Sequence, residues 1–276
     1  MHAVDVTPRV WDRLLSVRTG QACACCGRFS AGERAALDLY APVARRDLGP
    51  VTIAQIGQSL DGRVATATGD ARDVSGPEGL AHLHRLRALV DGVVIGVKTA
   101  LHDQPRLTVR LCSGHNPARI VIDPRGRLPD DALVLTADGA RRIIVTGANR
   151  PRAPGIEVLR LPAPDGRLDP IQVLEGLRNM GLGSLLIEGG GITITGFLEA
   201  GLLDRLQVSI APLIIGSGPQ GLTSLSPVDK LKDALRPDTR VFGMGSDIVF
   251  DCAFGDQAAR AILPLHAPQP LVTAAS

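Results

Sequence analysis

SLLIEGGGITITGFLEAGLLDRLQVSIAPLII, residues 184–215, reads as a strand, a glycine run, a helix and a second strand. Ser184–Ile187 is short and continuously apolar, as a strand covered on both faces must be. Glu188-Gly189-Gly190-Gly191 ends it, Ile192–Ala200 carries the helix, and Arg205–Ile215 is a long second strand. Strands that alternate with helices in this way assemble into a mostly parallel sheet.

The alternation extends back to Val51. Val51–Gly57, Gly92–Gly96, Arg119–Asp123, Arg142–Thr146 and Ile156–Leu161 read as strands, with Asp247–Ala253 as the last. Pro77–Val90, Lys98–His102 and Asp169–Met180 read as helices. Asp169 caps the third of these, and Gly181 stops it. The predicted fold class is α/β, a mostly parallel central sheet with helices on both faces. Residues 1–50 read as an N-terminal helical extension. One helix covers Thr7 to Val17, with Thr7 as cap and Pro8 in the first turn. A second covers Ala31 to Leu39, and Pro42 and Gly49-Pro50 punctuate the entry to the main domain, 51–254. Residues 255–276, with Pro264, Pro268 and Pro270, read as a C-terminal tail.

The bulk numbers narrow the function. Across 276 residues the net charge is +2 and aromatics are 3%, which gives nucleic-acid binding no support. The apolar stretches are strand-sized, so no membrane span is expected. No basic head precedes an apolar core at the N-terminus, so a cytoplasmic location is expected. The cysteines are Cys23, Cys25, Cys26, Cys112 and Cys252. Their odd number argues against a disulfide framework, and the Cys23–Cys26 pair lacks further ligands nearby for zinc. No metal constellation, Ser-His-Asp set or P-loop is expected.

In open α/β sheets, ligands bind beyond the carboxyl ends of the strands. Glycines 189–191 stand there, at a helix start. They serve either as a flexible connection or as a backbone cradle for phosphate. Glu188 beside them can accept hydrogen bonds from ligand hydroxyls. On the helix Pro77–Val90, Leu80, Leu83 and Val90 share a face, and Arg87 falls on it. A buried-side guanidinium needs an anion, which is either a protein carboxylate or a ligand phosphate. Arg110 is either a solvated strand-end charge or the second arm of a phosphate clamp with Arg87. Ser59-Leu60-Asp61-Gly62 alone is a turn. His82 and His84 are two apart, on different helix faces, and His102 sits beside Asp103 facing solvent.

Together these stretches resemble the reductase domain of riboflavin biosynthesis. The matching segments are QSLDGRVAT (58–66), HLHRLRALVDGVVIGVKTALHDQPRLTVR (82–110), ARIVID (118–123), LLIEGGGITITGFLEAGLLDRL (185–206) and IAPLIIGSG (210–218), within roughly 51–254. The resemblance implies a dihydrofolate-reductase-like fold, usually homodimeric, and NADPH as cofactor. The implied reaction is a reduction of the ribosylamino group of a pyrimidine 5′-phosphate to a ribitylamino group. By the same resemblance Arg87, Leu107, Arg110 and Glu188 contact substrate. The cofactor set is Gln58, Thr99, Asp103, Pro124, Gly189, Gly190, Gly191, Ile192 and Thr193. Arg125 and Arg127 follow a strand end and are our own candidates for the cofactor's 2′-phosphate. For the proton, Glu188 is the candidate catalytic group and water the rival.

This chain departs from the family pattern in four places. Ala71-Arg72-Asp73 stands where Ser-x-Trp is frequent, Gln104 replaces the second Asp of Asp-Asp-Pro, Lys98 replaces a glycine, and Gln58 a small residue. Two other readings stay open: a related NADPH reductase of a pterin or secondary-metabolite pathway, and a non-catalytic nucleotide-binding protein.

Overall fold

The structure is a computed structural model that describes residues 2–24, 26–223 and 225–255. Cys25 and nearly all of the expected C-terminal tail lie outside the described residues. The elements in chain order are β1 (His2–Ala3), α1 (Pro8–Arg18), α2 (Ala31–Ala44), β2 (Val51–Ser59), α3 (Pro77–Leu89), β3 (Gly92–Gly96) and α4 (Val97–His102). There follow β4 (Ala118–Ile122), β5 (Arg142–Thr146), β6 (Glu157–Arg160), α5 (Pro170–Asn179), β7 (Ser184–Ile187), α6 (Gly191–Glu199), β8 (Arg205–Ala211), β9 (Asp238–Met244) and β10 (Asp247–Ala253).

All the strands join one sheet, in the order β1-β9-β10-β8-β2-β7-β3-β4-β5-β6. Neighbours pair in parallel everywhere except on the two sides of β10. The strands read as unbroken apolar runs because the pleat sends adjacent residues into two different cores. Ile53, Val93, Ile95, Val121, Ile144 and Leu186 pack with α1, α2 and α3. Their neighbours Ala54, Val94, Ile120, Ile143, Leu185 and Ile187 pack with α5 and α6 on the opposite face. Each such Val, Leu or Ile side chain stabilises the fold by about 1.5–3 kcal/mol when fully buried.

The N-terminal segment is part of this build. β1 extends the sheet beside β9, and Val10, Trp11, Leu14, Leu39 and Tyr40 belong to the first core. Thr7 caps α1 through Val10 N–H, and Ser30 and Glu33 form a capping box on α2. Three expectations need correction. The second helix does not stop before Pro42 but runs through it to Ala44. Pro42 has no N–H for the carbonyl of Asp38, one turn earlier, and Arg240 Nη2 fills that role at 2.8 Å. β8 ends at Ala211 instead of Ile215, because Pro212 cannot donate to the ladder. Leu80 is exposed; the buried face of α3 carries Gly79, His82, His84, Leu86, Arg87, Ala88 and Leu89.

The topology fixes where a ligand can enter. β7 leads through α6 to β8, on the far side of β2. Its neighbour β3 leads through α4 to β4, in the opposite direction. The chain therefore diverges between the carboxyl ends of β7 and β3, which opens a crevice there.

Candidate active site

One wall of the crevice is backbone. Gly190 is the N-cap of α6, and its N–H donates to Thr99 Oγ1 of α4 at 3.1 Å. Gly189 has φ 86°, which favours glycine, and a Cβ there would meet Thr99 Cγ2 at 2.9 Å. At Gly96, the end of β3, a Cβ would lie 2.6 Å from Thr193 Oγ1. A Cβ on Gly191 would lie 2.1 Å from the Gly221 carbonyl oxygen, and one on Gly221 would lie 2.3 Å from Gln58 Oε1. Gln58, Thr99, Gly189, Gly190, Gly191 and Thr193 thus form one close-packed cluster at the mouth of α6. Ile192 is exposed beside them. The bare glycine backbone at the N-terminus of α6 suits the pyrophosphate of a dinucleotide.

Asp103 lies one turn after Thr99, capping α4 through its N–H to the Thr99 carbonyl at 2.9 Å; its carboxylate bonds His102 Nδ1 at 2.8 Å, both exposed. Pro124 follows β4, and its carbonyl accepts from Gly147 N–H at 3.1 Å. Gly126 N–H closes a turn onto the Asp123 carbonyl at 3.1 Å, and Arg150 Nη1 donates to the Gly126 carbonyl at 3.0 Å. That rigid turn presents Arg125 and Arg127 at the surface.

The polar residues of the Ser59–Arg63 motif shape a second wall. Asp61 accepts from Ser59 Oγ at 2.5 Å and from the amides of Ile215 and Gly216 at 3.1 and 2.7 Å. The Ser59 hydroxyl first, then the Ile215 amide, hold this carboxyl down to about 2 against the opposing effect of desolvation. Arg63 donates to the carbonyls of Gly216 and Gly218, each at 3.0 Å. The motif therefore pins the segment after β8, which carries Gly221 over Gln58 and Gly191.

The anion end begins at Glu188. Arg87 Nε and Nη2 donate to its two carboxylate oxygens at 2.8 and 2.7 Å, with both side chains buried. Burial works against the guanidinium charge. The adjacent carboxylate and its hydrogen bonds outweigh it and hold Arg87 above its ordinary value. Arg87 Nη1 donates to the Thr108 carbonyl at 3.2 Å, and Arg110 Nη1 to Thr108 Oγ1 at 2.7 Å. The two guanidinium groups meet at Thr108, but they differ. The anion of Arg87 is a protein carboxylate, and Arg110 is the exposed cation. Both carboxylate oxygens of Glu188 accept from Arg87. Leu107 is the remaining expected substrate contact. Its side chain is buried in the first core, so its backbone, at φ 52°, is what it can turn to a ligand.

Sequence reasoning missed His84, Thr108, Gly96 and Gly221. His84 is buried, and its Nδ1 accepts from Arg110 N–H at 2.9 Å. The His84–Arg87 spacing of three on one helix was the available signal. Of the departures, Lys98 is exposed, and Gln104 and Asp73 have φ of 45° and 58°.

Comparison with known proteins covers most of the chain. The family described as the RibD C-terminal domain matches residues 50–250. A 2,5-diamino-6-ribosylamino-4(3H)-pyrimidinone 5′-phosphate reductase from Methanothermobacter thermautotrophicus is 34% identical over 211 residues, 73% of this chain and 97% of the relative. The riboflavin biosynthesis protein RibD of Escherichia coli is 31% identical over 194 residues, 65% of this chain and 53% of the relative. The chain thus spans about half the length of the RibD relatives it matches. A deaminase/reductase structure from Thermotoga maritima has the same fold, with a TM-score of 0.67 at 22% identity, covering 80% of this chain and 62% of the other. The riboflavin biosynthesis reductase of Saccharomyces cerevisiae superposes with a TM-score of 0.60 at 24% identity, over 75% and 90% of the two chains.

Proposed function

Because the chain belongs to the RibD C-terminal domain family, we propose that it is an NADPH-dependent reductase that converts the ribosylamino group of a pyrimidine 5′-phosphate to ribitylamino. The first substrate to try is the 2,5-diaminopyrimidinone, the substrate in the name of the relative that the chain covers almost entirely. One observation carries the reading. An unbroken path of contacts runs from the α6 glycines through Glu188, Arg87 and Thr108 to Arg110, so a dinucleotide site and an anion site share one crevice.

Bound NADPH supplies the hydride. The chain's residues hold, orient and shield. Ring opening of the sugar would give an imine at C1′, and hydride at that carbon with one proton at the nitrogen would complete the amine. Arg110 takes the 5′-phosphate. Glu188, oriented by Arg87, accepts from a ribose hydroxyl and so fixes C1′ against the nicotinamide. Thr99, Asp103 and glycines 189–191 hold the cofactor, with Gln58, Pro124, Ile192 and Thr193 lining its path. The turn after β4 offers Arg125 and Arg127 to the 2′-phosphate. With Glu188 committed as an acceptor, water is the proton source. A cytoplasmic homodimer goes with this reading, and the exposed apolar side chains Ile214, Leu231 and Leu235 after β8 support a second copy. No described helix is long and apolar enough to cross a membrane.

The test follows NADPH oxidation at 340 nm (absorbance of the reduced nicotinamide) with the 2,5-diaminopyrimidinone and its deaminated counterpart side by side. Turnover of either supports the reaction class, and the faster one names the substrate. No turnover of either, with NADPH binding intact, overturns the proposal.

A further inference from the structure

His84 enters no part of the reaction described above, yet it stands where the anion end is assembled. Helix α3 places it three residues before Arg87, on the buried face. Its Nδ1 accepts from the backbone N–H of Arg110 at 2.9 Å. An accepting Nδ1 fixes the neutral tautomer, with the proton on Nε2. Burial first, then the charges of Arg87 and Arg110, hold the imidazole down to about 4, so it is neutral at physiological pH. The result is a buried neutral ring whose Nδ1 accepts from the Arg110 backbone.

The Arg110 segment needs such a hold. Gln104 and Leu107, both non-glycine, have φ of 45° and 52°, conformations that cost about 1–3 kcal/mol each and persist only where the surroundings enforce them. Three ties enforce them here. Arg87 Nη1 donates to the Thr108 carbonyl, Val109 N–H donates to Asn116 Oδ1 at 2.7 Å, and Arg110 N–H donates to His84. The last acts directly on the residue that carries the exposed cation.

We propose that His84 is the positioning residue of the phosphate subsite: its Nδ1 fixes the Arg110 backbone and so holds the Arg110 guanidinium in place for the phosphate. This rests on the reading of the crevice as a site for a 5′-phosphate ester.

The test compares His84→Leu and His84→Asn. Asparagine restores an acceptor near the position of Nδ1. KM and kcat are measured with the ribosylaminopyrimidine 5′-phosphate and with the same compound lacking its phosphate. NADPH affinity, affinity for ribose 5-phosphate and Tm are measured on each variant. For His84→Leu the expected result is a KM about tenfold higher for the phosphorylated substrate, as the Arg110 guanidinium loses its fixed backbone, with kcat changed far less and NADPH affinity kept. His84→Asn recovers the larger share. Wild type and His84→Leu become indistinguishable on the dephosphorylated compound. An equal KM ratio with and without the phosphate, or parallel loss of NADPH affinity, overturns the inference. If wild type turns over neither substrate, the reductase proposal fails separately, and the ribose 5-phosphate titration decides. A tenfold weaker affinity in His84→Leu upholds the role, and equal or absent binding in both proteins ends it.

Discussion

Replacing Arg87 by methionine tests the centre of the site. The substitution keeps an unbranched, flexible side chain and deletes a guanidinium whose two bonds to Glu188 measure 2.8 and 2.7 Å. Both side chains are less than a tenth exposed, so solvent cannot take over the role of the partner. Removing one member of a buried pair strands the other charge and costs about 3–5 kcal/mol. A whole domain is stable by only about 5–15 kcal/mol, so the variant should fold but with much of its margin gone. The double variant Arg87→Met with Glu188→Leu removes both charges and should regain at least about 2 kcal/mol relative to the summed single effects. Urea unfolding followed by far-ultraviolet circular dichroism at pH 7.5 and 15 °C gives all the values of the cycle. Single losses below about 1 kcal/mol, or strictly additive ones, would mean that the pair is water-screened and that Glu188 is not oriented by Arg87. Activity separates the roles. The double variant should recover stability and remain inactive, because the acceptor for the ribose hydroxyl is gone.

Arg125→Ala with Arg127→Ala should weaken NADPH binding by about a hundredfold or more and leave NADH unchanged, since each guanidinium contact to phosphate is worth about 1.5–3 kcal/mol; calorimetric titration with both nucleotides checks it, and equal losses would refute the assignment. Gly191→Ala places a Cβ 2.1 Å from the Gly221 carbonyl oxygen, so the cofactor wall must shift. NADPH affinity should fall at least about tenfold for about 1–3 kcal/mol of stability, and unaltered affinity would contradict the cradle. Burial, more than any neighbour, holds His82 down from 6.5 to about 4, while its Nδ1 bonds Tyr40 Oη at 2.7 Å. Between those two values the unfolded chain binds a proton that the folded chain refuses. Stability is therefore full above pH 6.5 and falls as the pH drops toward 4, by about 3 kcal/mol from this residue. His82→Gln should flatten the slope of unfolding free energy between pH 6 and 4.5, and an unchanged slope would move the acid sensitivity elsewhere.

The parts of the fold that could be read in the sequence were those whose causes are local. Ser184–Ile187 had to be a strand because its apolar run is too short for a helix, and Asp169 before Pro170 marked a helix start by chemistry contained in two residues. Where a cause was distant, the reading failed or stopped short. Pro42 reads as a break, and only a guanidinium 198 residues away along the chain, Arg240 on β9, lets the helix continue. Asp238–Met244 carries no clean strand pattern, and becomes a strand because β10 pairs with it across a two-residue turn. The site shows the same division. That Arg87 needs an anion was legible, because a buried guanidinium always does. Which anion was not, since the answer depends on β7 returning, after β4, β5, β6 and α5, to insert between β2 and β3 and so bring Glu188 beneath α3. That insertion also places the glycine run beside Thr99 and makes the crevice a single site. Permuting the strand order, while keeping every local signal, would leave the same motifs in the sequence and no catalyst.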